Sequence, residues 1–228
     1  MNKIPVIFYL AALLIFFFTA CARLPEYARP HFSPEYENVS AKNSFAYRKL
    51  TIGDFRADSL PPRFEEFNHS IQARSCISIQ TSRNSQVQIN SGTISGKLIY
   101  TGKFSNISFA AVFNPDCSWW NPDIPQENQS YILQHEQIHF ALAELTSRRL
   151  NQQYKDHLQQ YFAIGNTLQE VKKQLHAEAE KVSREGMKKA LEEHTSFDED
   201  TSLFYDPDSQ EEWFKRVNQE LNEEPVTQ

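Results

Sequence analysis

Around residue 129 the hydrophobic period of this chain changes, and that change restricts the fold class before any single residue is considered. Upstream, short segments rich in aromatic and β-branched residues alternate apolar with polar side chains between turn signals, the two-residue period of strands. They are residues 45–56, Cys76–Thr81, Val87–Ile89, and the run from Ile94 to Val112, which reads as one long or two short strands. A turn-rich stretch with prolines at 115, 122 and 125 follows. Downstream the period becomes 3.6. Helices are expected at about Gln129–Lys155, capped by Asn128 or Ser130, at Thr167–Glu193, and at Ser209–Leu221. The second carries Leu168, Val171, Leu175, Ala179, Val182, Gly186 and Ala190 on one stripe, and the last carries Trp213 and Val217. Strands first and helices second, with no internal repeat, predict an α+β domain over 45–225: a small antiparallel sheet in the N-terminal half, packed with two long helices and a short C-terminal one. Hydrophobic residues are 40% of the 228, enough to bury a core.

The chain starts with one cation, Lys3, and an apolar run from Ile4 to Ala20, followed at once by Cys21 and polar sequence. That is the layout of a secretory signal over residues 1–20. Phe18-Thr19-Ala20-Cys21 resembles the lipobox of bacterial lipoproteins, which implies cleavage before Cys21 and a lipid on its thiol. The rival reading keeps the run as an uncleaved membrane anchor. Both place the remainder outside the cytoplasm, in the cell envelope. Ala22 is not the aspartate of a retention signal, so lipoprotein sorting implies the outer membrane or its periplasmic face. Residues 21–44, with prolines at 25, 30 and 34 and no period, read as a lipidated tether that lets the domain reach away from the membrane. In an oxidising compartment the two remaining thiols, Cys76 and Cys117, are expected to pair. Lys and Arg number 23 against 29 Asp and Glu, a net charge of -6 with no clustered basic patch, which argues against a nucleic-acid partner.

Chemistry concentrates in His135-Glu136-Gln137-Ile138-His139. Two histidines four apart on a helix project one turn apart from one face, so both can reach one zinc ion. Glu136, about 100° round the helix, can act as general base on zinc-bound water. Ile132, Ile138, Leu142 and Leu145 surround the pair, so both imidazoles lie on the apolar face. Buried together they need partners, and a shared ion supplies one. A catalytic zinc takes three protein ligands and keeps one open position. For the third ligand, Glu144 lies opposite His135 on a straight helix and is more simply explained by an i,i+4 pair with Arg148. His176 and Glu178 flank the stripe of the second helix, and His194 lies near its end. Spacing does not choose among Glu144, His176, Glu178 and His194. Trp119-Trp120 is read as core or helix staple ahead of a substrate subsite.

The run 135–150, HEQIHFALAELTSRRL, resembles the core of a bacterial family designated domain of unknown function 922, described as secreted zinc-dependent proteases. His135, Glu136, Gln137, His139, Phe140, Ala143, Glu144, Arg148 and Arg149 stand at matching places. Upstream, residues 50–61 resemble the family's opening, with Ile52 for a tryptophan, and Phe113, Ser118 and Trp119 resemble its segment before the helix. Downstream, Phe197, Asp198, Thr201, Gln210 and Trp213 fit its spacing, while Leu203 stands where the family has a histidine. The resemblance implies a zincin-like metallopeptidase domain acting on peptides or proteins. The loss of a histidine at 203 raises the alternative, a catalytically inactive lipoprotein of the same fold serving as a binding or envelope module.

Overall fold

The computed structural model describes residues 24–30, 43–202 and 205–223. The expected signal segment, Cys21, most of the expected tether and Leu203 lie outside the described residues. Among the described residues, eight strands form three antiparallel sheets. The strands are β1 Phe45–Ala46, β2 Ala73–Arg74, β3 Ile77–Thr81, β4 Gln86–Ile94, β5 Lys97–Asn106, β6 Phe109–Phe113, β7 Trp119–Trp120 and β8 Phe162–Gly165. The sheet orders are β1-β6-β3, β2-β7 and β4-β5-β8. Three helices follow the first seven strands: α1 Gln126–Gln160, α2 Leu168–Thr201 and α3 Pro207–Glu223, with β8 between the first two. The architecture is α+β, as the change of period predicts.

Local chemistry explains most boundaries. The run from Ile94 to Val112 divides into β5 and β6. β4 and β5 turn on Ser95 and Gly96, at φ 51° and 77°, the left-handed pair that matches strand twist in a tight hairpin. The segment 45–56 is a strand only at Phe45–Ala46. Past it, Asp54 accepts from the Thr51 N–H at 2.8 Å and pairs with Arg48 at 2.6 Å, which favours a 3-10 turn at Ile52–Asp54 over a longer strand. Helix α1 starts directly after Pro125 with no side-chain cap, so neither Asn128 nor Ser130 caps it. Side-chain amides close exposed backbone elsewhere. Asn151 of α1 receives the Phe109 N–H at 2.6 Å and donates to its carbonyl at 2.9 Å, and Gln174 of α2 does the same for Ile164. Cys76 and Cys117 stand as a disulfide pair, their Cα atoms 5.9 Å apart.

Helix α2 runs eight residues past the expected end at Glu193. The apolar stripe of Val171 to Ala190 continues at the same spacing through His194, Phe197 and Thr201, all buried. Two polar members hide that continuation from a hydrophobicity reading. The helices α1 and α2 are antiparallel. His157 meets Glu178 at 3.1 Å, Leu150 faces Gly186, and His139 meets His194 at 2.9 Å. A Cβ on Gly186 would lie 2.4 Å from Leu150 Cδ1, so this crossing depends on the absence of a side chain there.

The segment expected as a free tether is partly docked. Leu24 is 2% exposed, and Tyr27 stacks on Phe67 with ring centroids 4.3 Å apart. Its two large hydrophobic side chains explain the difference: burying them favours contact with the domain over solvation.

Candidate metal centre

The site forms where the middle of α1 meets the last turns of α2. Nε2 of His135 and Nε2 of His139 lie 3.2 Å apart. Asp198 Oδ1 sits 3.1 Å from the first and 2.9 Å from the second. Three donor atoms thus form a nearly equilateral triangle. Tetrahedral zinc with bonds near 2.0–2.1 Å separates its ligand atoms by about 3.3–3.4 Å, so small outward shifts would admit the ion. His135, His139 and Asp198 could hold a metal ion.

The partners behind each ring agree with that role. A ligating imidazole offers the lone pair on one nitrogen and donates from the other. Nδ1 of His135 lies 3.3 Å from the Gln210 side-chain oxygen. Gln210 is fully buried, and its own amide donates to the Tyr131 carbonyl at 2.9 Å and to Gln134 at 2.8 Å, so its oxygen is turned towards His135. Nδ1 of His139 lies 2.9 Å from Nδ1 of His194. Burial, then the neighbouring charge of His139, lowers the pKa of His194 to about 3, so it is neutral and can accept. That puts the His194 proton on Nε2, a buried atom without a hydrogen-bond partner among the described residues. With both Nδ1 atoms donating, both Nε2 atoms face the centre of the triangle, where they donate to Asp198 when protonated and could ligate an ion when neutral.

Electrostatics reinforce the cluster. Burial alone would disfavour charge on His139, but the Asp198 carboxylate, by charge and hydrogen bond, and then Glu136, push its pKa upward. Burial likewise opposes ionisation of Asp198, and His139 and His135 outweigh it, holding the carboxyl well below its usual range. Asp198 is therefore an anion at neutral pH. A cation between it and two imidazoles relieves the desolvation of that buried charge.

Glu136 is buried and accepts from the Ser75 hydroxyl. Ser75 lies between β2 and the disulfide residue Cys76, whose N–H donates to Ser118 Oγ at 2.9 Å. The Cys76–Cys117 link and Ser118 thus fix the strand end that holds Glu136. A cavity of about 530 Å³ opens over these groups and includes His135, Glu136, His139 and Asp198 in its wall.

Of the expected residues, His135, Glu136 and His139 come together here. The other candidates do not complete the triangle. Glu144 accepts from Arg148 at 2.9 Å, the i,i+4 pair that its helical position dictates. His176 is exposed and pairs with Glu180 at 3.1 Å. Glu178 accepts from His157, about 30 Å along α2 from Asp198 at 1.5 Å per residue. His194 reaches the site, but behind His139 and facing its other nitrogen. Asp198 takes the third place. Its neighbours in the 197–213 block, Phe197, Thr201, Gln210 and Trp213, lie on the same side of the site. Phe197 stacks on His135 at 4.4 Å, Thr201 donates to the Phe197 carbonyl at 2.7 Å, Gln210 faces Nδ1, and Trp213 packs on Phe197 at 5.4 Å. Gln137 instead receives the Leu50 N–H at 2.6 Å, joining α1 to the start of the domain. Of the adjacent tryptophans, Trp119 is buried with Leu60 and Phe64, and the half-buried Trp120 packs against Phe55 at 5.4 Å.

No protein-family model, curated protein or solved structure matches this chain.

Proposed function

We propose that this chain is a zinc-dependent metallopeptidase attached to the membrane on the outer side of the cytoplasm, with His135, His139 and Asp198 holding the metal and Glu136 as general base. The observation that carries the reading is the triangle of three donor atoms beside a buried carboxylate on the wall of a cavity. Two neutral nitrogens and one carboxylate oxygen suit zinc better than calcium or magnesium, which take oxygen. Zinc bound there would polarise a peptide carbonyl and lower the pKa of water towards about 7. The residues supply the rest. Asp198 and the two imidazoles fix the position of the reacting carbonyl. Ser75 holds Glu136 in one rotamer, so that its carboxylate can take a proton from water and return it to the departing amine. Ile132, Met187 and Leu191 give the cavity wall an apolar side next to these groups. A third donor in Asp198 supports the hydrolase over a binding module that lacks metal. The resemblance to the zinc-dependent protease family agrees with this reading, as do the signal-like run of residues 4–20 and the lipobox-like Phe18-Thr19-Ala20-Cys21.

Metal content and peptide hydrolysis of three proteins test it. The native chain should retain one zinc after dialysis. Asp198→Ala should lose about 100- to 1,000-fold in zinc affinity, a third or a quarter of a typical site's binding free energy. Glu136→Gln should keep the zinc and lose hydrolysis by several orders of magnitude. Zinc uptake that survives His135→Ala, or activity that survives Glu136→Gln, refutes the assignment.

A further inference from the structure

Residues 24–30, between the apolar run and β1, form part of the cavity wall. Leu24 is buried, Tyr27 stacks on Phe67, and the Arg29 guanidinium donates to the Leu24 carbonyl at 3.0 Å, closing residues 24–29 round the 3-10 turn Glu26–Ala28. Leu24, Tyr27 and Arg29 line the same cavity as His135, Glu136 and Asp198. Only Ala22 and Arg23 separate Leu24 from Cys21. Three residue steps reach at most about 11 Å. A flexible tether over residues 22–43 would instead let the domain wander roughly 25 Å, with a far longer limit. The argument holds for either kind of attachment. A lipid on Cys21 and an uncleaved span ending at Ala20 both put the bilayer surface beside position 21.

We infer that the cavity is held against the bilayer surface, and that its substrates are polypeptide segments presented there: chains that carry a lipid or emerge from the membrane, cleaved close to their anchor. The substrate class rests on the metallopeptidase reading. The apposition rests only on attachment at position 21 and the docked segment 24–30. A soluble protein would have to enter a cavity whose wall lies about one peptide length from lipid. A chain anchored in the same membrane arrives already concentrated, which raises its effective concentration without any new contact.

Two measurements on the full chain in vesicles of phosphatidylethanolamine and phosphatidylglycerol separate these claims. First, a fluorophore is placed at the cavity rim by Ser70→Cys, and energy transfer to a dye-labelled lipid is recorded. Inserting about 20 Gly/Ser residues between Ala22 and Arg23 should lower that transfer at least about twofold, because the wall then swings away on a flexible chain. Second, one peptide is offered free, or coupled to a vesicle lipid through a short or a long spacer. The native chain should cleave the short-spacer form at least about tenfold faster than the free form, and the insertion should abolish that preference while hydrolysis of the free peptide is unchanged. Low transfer that does not respond to the insertion overturns the apposition, whatever the activity. High transfer with a preference for the free peptide overturns the substrate class. High transfer without hydrolysis of any form by the native chain, and with no bound zinc, refutes the peptidase reading and its substrate class and leaves the apposition standing.

Discussion

Gly186→Ala tests whether the close crossing of α1 and α2 is real, and with it the placement of Asp198 over the histidine pair. A Cβ at position 186 would lie 2.4, 2.8 and 2.9 Å from Cδ1, Cδ2 and Cγ of Leu150. Ordinary carbon contacts begin near 3.5 Å, so the leucine must retreat by about 1 Å. It has little room, being 4% exposed within the cluster that includes Met187 and Val182. Overpacking of this kind costs about 1–3 kcal/mol, and the severity of three short contacts places it near the upper end. Alanine recovers about 1 kcal/mol of helix preference. The net expectation is a loss of about 2 kcal/mol, or roughly 4–8 °C in Tm for a domain of this size. Urea denaturation of the native chain, Gly186→Ala, Leu150→Ala and the double variant forms a cycle that isolates the contact. In the Leu150→Ala background the steric term disappears, and Gly186→Ala should then stabilise by up to about 1 kcal/mol. A stabilising Gly186→Ala in the native background would refute the crossing and, with it, the register that brings α2 residues 194–201 to the site.

Three further outcomes are expected. Gln210→Leu removes the acceptor behind His135 and should weaken zinc binding about 10- to 100-fold, read by titration calorimetry. Hydrogen bonding from Arg48 is the main cause that lowers the Asp54 carboxyl from 3.8 to about 2, so its stabilisation is full above pH 3.8 and disappears as pH falls from 3.8 to 2. Arg48 is half exposed, and the contribution is accordingly about 1 kcal/mol; Arg48→Ala should show that deficit by urea denaturation at pH 7 and a smaller one at pH 2. Reducing Cys76–Cys117, 41 residues apart, should lower stability by about 4 kcal/mol in the chain-entropy description and loosen Ser75 from Glu136; denaturation with and without reductant, on chain confirmed reduced by mass, checks the first part.

How far the residues speak for themselves differs from element to element. The period of alternation announced strands at Cys76–Thr81 and between Ile94 and Val112, and the 3.6 repeat announced three helices, because burial of one face writes itself locally along the chain. The pair His135 and His139, with Glu136 beside them, was legible because helical spacing alone puts the two rings on one face. The pairing of Cys76 with Cys117 followed from their number and the compartment expected of residues 1–21. Asp198 was not legible in the same way. It lies 59 residues beyond His139, and its recruitment depends on how far α2 extends and on the depth at which Gly186 lets Leu150 approach. Glu144 and His176 take the i,i+4 partners Arg148 and Glu180 that helical spacing offers, and packing of α1 on α2 directs Glu178 to His157. The docking of Leu24 beside the cavity was hidden for the same reason, since proline-punctuated sequence looks like a tether until a surface exists to receive it. A helix face is a property of neighbours in sequence; a third ligand and a wall are properties of neighbours in space, and those are set by the fold.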